Sequence, residues 1–279
     1  MSKDALYYGD YLQLGRLLSA QDLESGKEGK PAHDEMLFII VHQAYELWFK
    51  QILWEIDGAI RILDRTSVEE KALGAAVAHL ERIVSIQRVL LQQIDVMETM
   101  TPLDFLDFRD ALVPASGFQS AQWRLIENRL GMRPGDRHAF TQAPYTSRLN
   151  SPDAKKVTAA ETGSTMFALV ETWLARTPFI RFGTYDFWQA YHEAVGRMLA
   201  SDRSLIQDNP TLNDAEKASQ LKNLEKTEVH FAALFDAGAY GKLITSGERR
   251  LSHEALKAAL LINLSRDEPI LHLPFRLLQ

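Results

Sequence analysis

Within the run His33-Asp-Glu-Met-Leu-Phe-Ile-Ile-Val-His-Gln-Ala-Tyr-Glu-Leu-Trp-Phe-Lys50, one imidazole, His42, stands in an almost unbroken apolar stretch. A neutral imidazole offers one N–H donor and one acceptor nitrogen near physiological pH, so a titratable ring in such a place needs a reason. Phe38 lies four residues earlier, and Tyr45, Glu46 and Phe49 continue the same helical face. On the helix alone, the plainer reading of His42 is a core histidine bonded to a neighbour. Arg109 stands between Asp107 and Asp110, and on the residues alone it reads as an arginine paired with one of them at a surface.

Several other chemistries are excluded. The chain has no cysteine, which rules out disulfides, iron–sulfur clusters, a structural Cys-type zinc site, a thiol nucleophile and thiolate-ligated haem. None of the eight histidines has Glu three residues before it, so the Glu-x-x-His pairs of a ferritin-like diiron bundle are missing. There is also no His-Glu-x-x-His, no Gly-rich phosphate loop and no Gly-x-Ser-x-Gly elbow. A net charge of −6 with acidic and basic residues interspersed provides no basic stripe for nucleic acid and no cationic helix for a membrane. Met1–Tyr7 lacks signal-peptide character, and no apolar run reaches the roughly 18 residues of a transmembrane helix. A cytoplasmic protein is expected.

Helical periodicity dominates, with no convincing series of strands and turns, so the fold class is all-α. Pro31 and the capping candidate Asp34 open a long helix that runs without proline to about Leu63. Its apolar positions wrap most of the way round, the pattern of a helix buried in a core. A shorter helix from about Gly9 to Ala20 and a loop from Ser25 to Pro31 precede it. Ala72–Met100 forms a second long helix, expected to bury Leu80, Ile83, Ile86, Val89, Leu90, Ile94 and Met97. Thr101-Pro102 stops it, Leu103–Leu112 is a short helix carrying Arg109, and Val113-Pro-Ala-Ser-Gly117 turns into a helix from Gln119 to Leu130. Composition changes at the irregular stretch Gly131–Asp153. The expected division is a main domain of residues 1–153 and 242–279 with a smaller helical domain, 154–241, inserted; Ser252–Leu264 would return to the main core.

These residues carry a resemblance. His33–Glu55, Tyr8-Gly-Asp-Tyr-Leu12, the run from Met97-Glu-Thr-Met-Thr-Pro102 to Phe108-Arg-Asp110, and Pro114-Ala-Ser-Gly-Phe-Gln-Ser120 are similar to tryptophan 2,3-dioxygenases. Ala168-Leu-Val-Glu-Thr-Trp-Leu-Ala-Arg-Thr-Pro178 and Gly247-Glu-Arg-Arg-Leu-Ser252 extend the likeness over nearly the whole chain, more toward animal-type members than the shortest bacterial ones. The resemblance implies a helical-bundle enzyme that uses haem b and dioxygen to open the indole C2–C3 bond of L-tryptophan. The product is N-formyl-L-kynurenine, the first step of tryptophan catabolism by the kynurenine pathway.

By the same resemblance His42 is the distal histidine that bonds the indole N–H, and Arg109 grips the substrate carboxylate. Phe38 and Phe105 wall the indole pocket, and Leu112 and Ser116 border substrate and haem. Tyr8 and Tyr11 match tyrosines that, in a homotetramer, reach into a neighbouring subunit's site. Trp173 and Arg176 match part of a second, noncatalytic tryptophan site, though Lys71 stands near where an acidic partner is expected. The family's proximal haem histidine sits in a Trp-Arg-Tyr-x-His type segment followed by a Gly-Thr-Gly-Gly-Ser-Ser-Gly loop, and Gln279 precedes both. The metal ligand is therefore unassigned; His272 falls where the family has none. The alternatives are a truncated or cofactor-free helical binding module on this scaffold, and a related haem-dependent oxygenase of another aromatic amino acid.

Overall fold

The computed structural model describes residues 5–27, 29–137, 144–177 and 180–279. The architecture is all-α, with fourteen α-helices among the described residues and one two-stranded hairpin. Short helices α1 (Tyr8–Tyr11), α2 (Leu14–Leu17) and α3 (Glu24–Lys27) lead into the long α4 (His33–Leu63) and α5 (Glu70–Met97). Then come α6 (Pro102–Arg109), α7 (Ala121–Leu130), α8 (Ser151–Ala160) and α9 (Met166–Ala175). Strands β1 (Arg181–Phe182) and β2 (Tyr185–Asp186) pair antiparallel, and α10 (Phe187–Gln207), α11 (Asp214–Phe235), α12 (Ala237–Thr245), α13 (His253–Leu264) and α14 (His272–Leu278) complete the chain.

Local chemistry places several boundaries. Thr101 caps α6 in a reciprocal box with Asp104, and Pro102 supplies the preset first turn. Ser120 caps α7, which ends at Gly131 with φ of 95°, a left-handed turn that glycine adopts without a Cβ penalty. The single helix expected over Gly9–Ala20 is broken in two. Gln13 adopts a φ of 54°, and its amide donates to Asp10 O at 2.8 Å, ending α1 before α2 begins.

Packing divides the chain into two compact units with boundaries other than the compositional ones. The first comprises residues 1–62 and 78–166. Its core is the stripe Ile52, Ile56, Ala59 and Ile60 of α4 with Ile83, Ile86 and Leu90 of α5, together with Phe108, Leu125, Ile126 and Val157. The second comprises residues 63–77 and 167–279. There the Ala- and Leu-rich α13 buries Ala255, Ala258, Leu261 and Ile262 with Leu174 of α9 and Phe187 of α10.

Two burial expectations are corrected. The long helix α4 is not enclosed: Ile40, Leu47, Trp48, Trp54 and His42 itself are exposed. On α5, Val89 and Ile94 are exposed as well. An apolar position records that burial would be favourable, and other surfaces must still be supplied to cover it.

Glu55 is a buried charge in the first unit. It accepts from Gln51 Nε2 at 2.6 Å and Arg82 Nη1 at 2.8 Å, and bonds His79 Nδ1. The His79 ring packs on Gly58, where a Cβ would come within 3.0 Å of it. Burial pushes the Glu55 carboxyl up, but the bonds from Arg82, His79 and Gln51 outweigh it and hold the group below the usual carboxylate range. A depressed folded-state value contributes stability above the unfolded-state pKa, lost as pH falls through the folded value. Glu55→Gln should therefore flatten the dependence of the unfolding midpoint on pH between about pH 5 and pH 3. Parallel acid profiles for the two proteins would contradict this.

Candidate active site

The site begins on one face of α4. Phe38 and His42 pack ring to ring at 4.1 Å, and His42 Nδ1 lies 2.8 Å from Phe38 O. A carbonyl only accepts, so Nδ1 carries the proton, and in the neutral ring Nε2 is left as the acceptor. No hydrogen bond to Nε2 occurs among the described residues. The helix around it is fixed: Gln93 donates to Val41 O at 3.0 Å, and the Gln43 amide donates to Ala20 O at 2.8 Å.

Helix α6 contributes the facing wall. Phe105 stacks on Phe38 at 5.7 Å, and Phe108 meets both edge-on, at 5.6 Å from Phe38 and 5.4 Å from Phe105. Phe108 is 1% exposed and backs the other two rings, which remain half-buried. The start of α6 is held by the Thr101–Asp104 box, whose hydroxyl and backbone N–H bonds keep the Asp104 carboxyl below its ordinary range. At the other end Arg109 occupies the last turn, where a cation is favoured by the helix dipole.

The Arg109 side chain is exposed and makes no ion pair or hydrogen bond among the described residues, so pairing with Asp107 or Asp110 does not occur. A 3-10 turn, Asp110–Leu112, follows directly, leaving Leu112 half-buried. Ser116 caps the next 3-10 turn: its Oγ accepts from Phe118 N at 3.3 Å, and Gln119 Oε1 accepts from Ser116 N at 3.1 Å. Phe38, His42 and Phe105 thus form one cluster, with Arg109 one turn beyond Phe105 on the same helix.

The other expected residues stand apart from this cluster. Tyr8 and Tyr11 are each 69% exposed on α1, in an N-terminal segment that also exposes Leu6, Tyr7 and Leu18. In the second unit, Trp173 packs partly buried against the core, while Arg176 Nη1 donates to Thr66 O at 2.7 Å and Arg65 O at 3.4 Å. His272 is exposed at the start of α14.

Compared with known proteins, the family model described as Tryptophan 2,3-dioxygenase matches residues 1–279. The chain belongs to the tryptophan 2,3-dioxygenase family. A tryptophan 2,3-dioxygenase of Bdellovibrio bacteriovorus is 50% identical over 279 residues, 100% of this chain and 78% of the relative. The family member of Dictyostelium discoideum is 47% identical over 99% of this chain and 69% of its own length. That of Mus musculus is 41% identical, covering 99% and 68%.

Two features beside this cluster do not stand out in the sequence. Phe108 was legible in retrospect, because it follows Phe105 at helical spacing. The buried pair Glu35 and Ser25 was not, since ten residues and a loop separate them and only the folded chain joins them.

Proposed function

We propose that the chain is a haem-dependent dioxygenase that opens the indole C2–C3 bond of L-tryptophan to give N-formyl-L-kynurenine, acting as a cytoplasmic homotetramer. One observation carries the reading beyond family membership. An unpaired guanidinium, Arg109, ends the helix whose phenylalanines wall an aromatic cluster beside an imidazole with a free acceptor nitrogen. A carboxylate, a flat apolar ring system and one N–H donor are what such a set would recognise, and L-tryptophan has all three.

The residues present fit haem b on the substrate side. Phe38, Phe105 and Leu112 offer apolar contact, and the exposed His42 offers a ring edge. Among the described residues no group of three His, Asp or Glu side chains is gathered to hold a metal ion, and no histidine is assigned as axial ligand. Haem, when bound, supplies the iron chemistry that activates dioxygen. The chain's own part is positioning: His42 Nε2 accepts the indole N–H, Phe38 and Phe105 flank the ring, and Arg109 fixes the carboxylate. The exposed tyrosines and leucines of the N-terminal segment support Tyr8 and Tyr11 completing a neighbouring subunit's site, since such apolar surface is stabilised when a partner covers it.

An absorption spectrum of the purified chain with haem supplied tests the proposal. A Soret band that shifts on reduction and again on adding L-tryptophan is expected; a protein that takes up no haem would sink it. His42→Ala should lower turnover about 10- to 100-fold without abolishing it, because a positioning bond is lost while the remaining walls persist. Unchanged rate and unchanged tryptophan affinity would remove the orienting role.

A further inference from the structure

Glu35 lies three residues before Phe38 and seven before His42, on the same face of α4. It is 0% exposed, an unusual place for a carboxylate. Oε1 accepts from Glu24 N at 2.7 Å, and Oε2 accepts from Ser25 N at 3.1 Å and from the Ser25 hydroxyl. Ser25 is itself only 3% exposed, and its Oγ accepts from Ala32 N at 2.9 Å. One carboxylate therefore pins both α3 and the loop closing back onto α4. Helix α3 also lies against the 3-10 turn Asp110–Leu112, the segment that directly follows Arg109.

We infer that Glu35 is a positioning residue for the substrate carboxylate. Through Ser25 and α3 it sets the distance between the α4 face bearing Phe38 and His42 and the end of α6 bearing Arg109. A buried carboxylate with three directed donors suits this task, because such a network admits one geometry and is costly to distort. An apolar residue at position 35 could fill the volume, but it would not fix where α3 sits. The inference rests on the proposed tryptophan-binding role of Arg109.

The test uses the full chain supplied with haem, comparing Glu35→Gln and Ser25→Ala, each with and without Arg109→Leu. Ser25→Ala keeps both backbone bonds to Glu35, so it tests the idea even where Glu35→Gln folds poorly. Each single variant should raise the KM for L-tryptophan on the order of tenfold while kcat changes less than about twofold. In the Arg109→Leu background the same changes should be nearly silent, because the group they position is gone. An unchanged KM in Ser25→Ala, or an equal rise with and without Arg109, overturns the inference. An unsubstituted chain that takes up haem yet neither binds nor turns over L-tryptophan is a different result: it removes the proposed function, and this role with it.

Discussion

Replacing Arg109 with Leu should raise the KM for L-tryptophan by on the order of 100-fold, since a hydrogen bond to a charged group is worth roughly 1.5–3 kcal/mol and a guanidinium can make two to one carboxylate. The substitution is clean because the Arg109 side chain makes no bond to any described residue, so nothing is left unpaired when it goes. Stability should stay within about 0.5 kcal/mol of the parent, as for a surface change away from other features. The loss should be mainly in substrate affinity: the carboxylate lies away from the reacting indole bond, so its contact is similar before and during the reaction. Steady-state kinetics on the haem-loaded protein decide the matter. A KM unchanged by Arg109→Leu would return the residue to an ordinary surface cation.

Phe108→Ala should be the most damaging single change to the first unit, costing about 3–5 kcal/mol. The ring is 1% exposed and touches both Phe38 and Phe105 edge-on, so truncation removes its own buried area and the backing of two others. Total stability of a domain is only about 5–15 kcal/mol, so this loss is a large fraction of it. Denaturant unfolding measures it, and a loss under 1 kcal/mol would show that the cluster repacks freely. Phe108→Leu should cost far less, because it nearly conserves volume.

The contrast between these two residues shows what could be read in advance. Both sit on α6, whose limits follow from Thr101-Pro102 and the capping partner Asp104, all within one turn. The aromatic identity of positions 38, 105 and 108 and their helical spacing were equally local. Arg109 was ambiguous for a physical reason: Asp107 and Asp110 are adjacent in sequence, yet two residues ahead and one behind do not share a helical face with it. Whether the three pair depends on how the turn after α6 is held. That turn is held from a distance, by α3 lying against it and Glu35 gripping α3.

Sequence by itself determined the all-α class, the long helix ending at Leu63 and the stop at Thr101-Pro102, because caps, prolines and 3.6-residue periodicity act over a few residues. Tertiary structure alone decided that His42 is exposed with Nδ1 committed and Nε2 free, that Arg109 is unpaired, and that Glu35 is buried against Ser25. Exposure and pairing depend on which surfaces meet, and those surfaces come from segments tens of residues apart. An apolar helix face records only that it would gain by being covered, and leaves open what covers it.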